Sequence, residues 1–112
     1  MKLEIQNLWS SDLAQTSNNL PDNLLEFDLS VQFSLSEIGK PGGELFNCRV
    51  CSVSELSKAE HGQFITSTLV LDKFDWQELK KRIEKLLLHT SSCTSGECVI
   101  KKLLPCVEYI DE

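Results

Sequence analysis

Histidine is scarce in this chain, with two among 112 residues, and neither sits in a recognisable set of catalytic partners. His61 lies before a glycine. His89 falls at the end of a helical pattern, where the helix dipole favours a positive charge. No pair of carboxylates, glycine-rich phosphate loop or histidine-rich metal signature occurs. Long apolar runs are missing too: no window reaches the roughly 18–20 apolar residues of a membrane span, and the first residues lack the apolar stretch of a secretory signal. These gaps weigh against a metal enzyme, a nucleotide enzyme and a membrane protein. They lead to the expectation of a cytoplasmic, non-enzymatic protein with no cofactor and no metal.

Bases are outnumbered as well. Seventeen acids face eleven Lys and Arg, a formal charge of -6. The excess is uneven: residues 1–60 carry nine acids and four bases, residues 61–112 eight and seven. An acidic chain repels nucleic acid, whose phosphates need clustered Lys and Arg. It suits a basic protein partner, whose approach it accelerates. Solubility alone also accounts for modest acidity.

What is present is the pattern of one globular domain spanning 1–112, with 41% hydrophobic and 25% charged residues. LEIQNL (3–8) reads as a strand with Leu3 and Ile5 on one face. Residues 10–26 are polar and turn-rich, a long loop with room for one helical turn. FDLSVQFSLSEI (27–38) alternates strictly. Phe27, Leu29, Val31, Phe33 and Leu35 share one face, with Asp28, Ser30, Gln32, Ser34 and Ser36 on the other. GKPGGE (39–44) makes a hairpin connection, and LFNCRVCSV (45–53) returns as its partner.

A short helix or turn is expected over 54–62, capped by Ser54 and ended by Gly62, and a strand over 64–74. DWQELKKRIEKLLLHT (75–90) is a helix. Asp75 is its N-cap, Glu78 completes a capping box, and Phe74 with Leu79 forms a hydrophobic staple. Trp76, Leu79, Ile83, Leu86 and Leu87 make its apolar face, while Lys80, Lys81, Arg82 and Lys85 lie off it. CVIKKLL (98–104) is a second helix and CVEYIDE (106–112) a last strand, with Val107 and Tyr109 on one face. The order implies an α+β fold, a mostly antiparallel sheet with helices packed on one face.

Five cysteines cannot all pair within one chain, and free thiols are the expectation in a reducing cytoplasm. C-R-V-C (48–51) has the spacing of half a zinc site or of a redox pair. In a strand, however, residues three apart point to opposite faces, so Cys48 and Cys51 do not converge on one ion. A four-cysteine site with Cys93 and Cys98 would require 48 and 51 to sit on a bulge. Cys48 is expected as a small core residue beside Phe46 and Val50.

The stretch from Phe27 to Leu56 resembles the immunity protein 8 family of bacterial polymorphic-toxin systems. The likeness rests on Phe27, Gln32, Ile38-Gly39, the glycine-rich turn, Glu44, Phe46 and Val50-Cys51. Leu56 fits, as does the helix that opens with an aromatic beside Asp75. The resemblance implies a cytoplasmic immunity protein, the antidote to a toxin domain delivered by a neighbouring cell (contact-dependent inhibition) or made by its own. It would bind the toxin and block it without chemistry; a toxin that cleaves nucleic acid, being basic where it grips phosphate, would suit an acidic antidote. The alternative is a small acidic adaptor or regulator of another cytoplasmic protein. The expected toxin-binding residues are Asp12, Asp22 and Glu26 in the long loop, and Glu37 and Glu44 at the hairpin turn, since loops fixed by a scaffold carry binding function.

Overall fold

The computed structural model describes residues 2–14, 18–40, 42–58, 67–104 and 106–110. Strands β1 (Leu3–Trp9), β2 (Asp28–Glu37), β3 (Glu44–Cys51), β4 (Thr68–Val70) and β5 (Glu108–Ile110) form one sheet. Helices α1 (Val53–Leu56), α2 (Trp76–Leu87) and α3 (Gly96–Leu103) complete the α+β fold, with 3₁₀ turns at Ser11–Leu13 and Leu88–Thr90.

The alternating segment is the centre of the sheet. β2 pairs antiparallel with β1 on one side and β3 on the other. The β2–β3 register runs without a shift from Asp28↔Cys51 to Leu35↔Glu44. The turn between them needs residues that accept positive φ: Gly39 lies at 83° and Gly42 at 84°. Gly43 has a different constraint, since a Cβ there would collide with the Leu35 carbonyl oxygen.

The far edge of β3 is shared. β5 lies antiparallel against Leu45–Asn47, and β4 lies parallel against Arg49–Cys51. Cys48 falls between the two. The sheet is thus mostly antiparallel with one parallel pairing, because the chain crosses over through α1 before forming β4.

One face of the sheet carries the core. Phe27, Val31, Phe33, Leu35, Phe46 and Val50 are buried on it, and α2 and α3 close it with Leu79, Ile83, Val99 and Leu103. Phe46, fully buried, stacks on Phe33 at 5.4 Å and packs against Tyr109 at 5.7 Å. Each such side chain contributes about 1.5–3 kcal/mol by leaving water. The loop before β2 is fastened to the start of α2: Trp76 Nε1 donates to the Asn19 carbonyl at 2.8 Å, and Phe74 N to that of Leu24 at 2.8 Å.

Several boundaries differ from the sequence expectations. The cap of α1 is Ser52, which accepts from Glu55 N, not Ser54; the chain leaves β3 two residues earlier because Ser52 also bonds the backbone of Phe27. Gly62 lies outside the described residues. The strand expected over 64–74 is found as Thr68–Val70 only; residues 64–66 lie outside the described set, and after Val70 the chain turns so that Leu71 and Phe74 enter the core. Asp75 caps α2 by accepting from Gln77 N at 2.9 Å. The reciprocal half of the capping box is not made, because Glu78 accepts from Arg82 Nε at 2.8 Å instead. α3 begins two residues early, at Gly96, where Ser95 accepts from Cys98 N.

Candidate interaction surface

α2 and α3 pack on the core face of the sheet. On the opposite face Trp9 and Val70 are exposed while Ser34, Ser36 and Cys51 are buried, and its composition follows from the strand registers. Cross-strand rows run Trp9–Gln32–Asn47–Glu108, then Asn7–Ser34–Leu45–Ile110 on one side and Ser30–Arg49–Thr68 on the other. Polar side chains satisfy one another along these rows. Gln32 Nε2 donates to Asn47 Oδ1 at 2.7 Å, and Gln32 Oε1 accepts from Ser11 N at 2.9 Å. Arg49 forks onto Asp28 through Nε (2.8 Å) and Nη2 (2.7 Å). That bidentate pair holds the Asp28 carboxyl below its ordinary 3.8 and raises the Arg49 guanidinium further.

Apolar groups are interleaved with these. Trp9, Leu45, Val70 and Ile110 lie on this face and belong neither to the core cluster nor to the side chains packed against it. Trp9 owes its position to a β-bulge. Ile5 pairs with Leu35 and Asn7 with Ser34, so Gln6 is an extra residue in β1. Its Nε2 donates to Ser36 Oγ at 2.6 Å. The extra residue resets the alternation, turning Leu8 to the core and Trp9 outward.

The five acids expected to bind a partner are not brought together. Asp12, Asp22 and Glu26 lie in the segment before β2, whereas Glu37 and Glu44 are at the hairpin end of β2 and β3. By register, Glu37 and Glu44 fall on the helix side of the sheet. Two have backbone or side-chain duties: Asp12 Oδ2 accepts from Ser30 N at 2.7 Å, and Glu44 Oε2 accepts from the Tyr109 hydroxyl at 2.7 Å. Glu37 pairs with Lys40 at 2.9 Å. Asp22 and Glu26 are exposed.

Sequence reasoning missed Trp9 and Glu108 as surface candidates. The polar half of the alternation in β2 did mark the open face, but the bulge that carries Trp9 onto it left no period of its own.

The cysteines divide three ways. Cys48, paired with Val31, and Cys51, paired with Asp28, point to opposite sides of a regular strand and are both buried. Burial, and then the charge of Glu108, pushes the Cys48 thiol up to about 12; burial raises Cys51 too. Thiols held protonated in this way are poor nucleophiles. Cys106 is exposed. Cys93 and Cys98 form a disulfide in this structure, where free thiols are the expectation for a reducing cytoplasm; the bond is one that an oxidising environment keeps closed. The turn into α3 brings their Cα atoms to 5.6 Å, within bridging range. His89 is exposed, and His61 lies outside the described residues.

No curated protein and no solved structure matches the chain. A family model, Immunity protein 8, matches residues 3–109. The match runs from the first residue of β1 into β5, and the chain belongs to the immunity protein 8 family.

Proposed function

We propose that the protein is a cytoplasmic antidote that neutralises one toxin domain of a polymorphic-toxin system by covering its working surface, without chemistry of its own. The observation that carries this reading is the family match across residues 3–109 of the chain. What corresponds is a whole folded domain rather than a constellation of reactive groups. The acidic balance supports a toxin that is basic where it works, and a nuclease delivered by a neighbouring cell is the class this favours. The buried, protonated thiols of Cys48 and Cys51 support inhibition by occlusion. In a reducing cytoplasm the Cys93–Cys98 pair is expected as a dithiol.

The test is co-expression with the toxin domain encoded in the adjoining reading frame. Growth should be restored and a stoichiometric complex should form. After separation in denaturant and refolding, the toxin should regain full activity. Toxin that stays inactive after separation would mean chemical modification. A failure to restore growth would remove the antidote reading and favour an adaptor of some other protein.

A further inference from the structure

We propose that the open face of the sheet is the surface that docks the toxin, and that its occupant is a flat, basic protein surface; this rests on the antidote reading above. Three observations converge on it.

The first is unclaimed apolar area. Trp9 is 37% exposed and Val70 38%. With Leu45 and Ile110, they place apolar groups on four of the five strands outside the core. A tryptophan presented on a rigid strand loses little conformational freedom when a partner covers it, and tryptophan dominates interface energetics. The bulge at Gln6 determines that Trp9 faces outward.

The second is charge. The strand residues on this face bear three carboxylates, Glu4, Asp28 and Glu108, against one guanidinium, Arg49. Arg49 is already neutralised by Asp28. Glu4 and Glu108 are exposed and have no ion pair among the described residues. The helix side is less acidic: α2 and α3 together hold six bases (Lys80, Lys81, Arg82, Lys85, Lys101, Lys102) against three acids (Glu78, Glu84, Glu97), and Glu37 and Glu44 of the strands bring the acids there to five. A basic partner is therefore steered to the sheet side and away from the helices. A second copy of this chain is disfavoured, because an isologous contact would face Glu4 and Glu108 against like charges.

The third is preorganisation. The central Gln32–Asn47 and Arg49–Asp28 pairs are made within the free protein. The face thus offers fixed polar groups around its apolar ones, and little ordering is left to cost affinity.

The experiment measures association with an inactive variant of the adjoining-frame toxin domain, at low and high salt, for the parent and four variants. Trp9→Ala should weaken binding about thirty-fold, mainly through faster dissociation. Glu108→Lys with Glu4→Lys should slow association roughly tenfold at low salt, with the difference shrinking at high salt. The helix-layer reversal Lys81→Glu and the hairpin reversal Glu37→Lys should bind like the parent. Thermal melts of all four confirm folding. If the sheet variants bind like the parent while the helix or hairpin reversal fails, the docking face is elsewhere. If Trp9→Ala instead converts a dimer to a monomer, the face serves a second copy and the proposal is overturned. A parent that neither binds nor protects removes the antidote reading itself, which distinguishes that failure from a misplaced docking face.

Discussion

Cys48 and Cys106 are the same side chain in two environments, and they should behave as different reagents. Cys106 is exposed, whereas Cys48 and Cys51 are buried with raised pKa values. A thiol reagent at neutral pH should label one cysteine in the oxidised native protein, three after unfolding, and five after unfolding with reductant. Labelling of Cys48 at the rate of Cys106 would contradict its burial. The same burial links stability to alkali. The Cys48 thiol ionises near 9 when unfolded but only at about 12 when folded. Between those values the unfolded chain holds fewer protons, so stability falls as pH rises from 9 toward 12. The slope approaches about 1.4 kcal/mol per pH unit for this one group. Cys48→Ala should flatten that part of the profile in denaturant titrations at several pH values.

At the scale of elements, β1 supports a prediction that runs against the usual rule for strands. Deleting a residue from a regular strand turns every later side chain to the wrong face. Gln6 is the extra residue of a bulge, so its deletion leaves Leu8 inward and Trp9 outward. The variant lacking Gln6 should fold, losing about 1 kcal/mol with the hydrogen bond to Ser36. Deleting Gln32 from the unbroken β2 should abolish cooperative folding. Circular dichroism and urea titration of the two deletions would decide this. The contrast also marks how far the sequence could be read. β2 and β3 were legible because strict alternation and a glycine-rich turn state both strand and register locally. α2 was legible through its cap and apolar stripe. β4 was overextended at its C-terminal end because Leu71 and Phe74 continue the apolar pattern past Val70 although the chain there turns into the core. Trp9 was missed because a bulge is defined by its partner strand. The scattering of the five expected acids depends on the same long-range pairing, which puts Glu37 and Glu44 far from Asp12.

At the scale of the whole molecule, the question is whether the C-terminal third folds with the sheet or as an attachment to it. Val99, Leu103 and Val107 are buried in the one core cluster that also contains Phe33 and Phe46. Tyr109 closes against Phe46 and donates to Glu44. A segment bound to the core in this way cannot leave without exposing it, so a single cooperative transition is expected. Its calorimetric and van't Hoff enthalpies should agree at roughly 70–80 kcal/mol near the midpoint. The disulfide provides the perturbation. Cys93 and Cys98 close a loop only five residues apart in sequence. On the loop-entropy account, reducing it costs about 2 kcal/mol, or roughly 8 °C for a domain of this size. Since Ser95 caps α3 whether or not the sulfurs are joined, reductant should lower the transition without splitting it. Two separate heat-absorption peaks under reducing conditions would show instead that α3 and β5 are an independently melting unit, held to the sheet by the bridge rather than by the core.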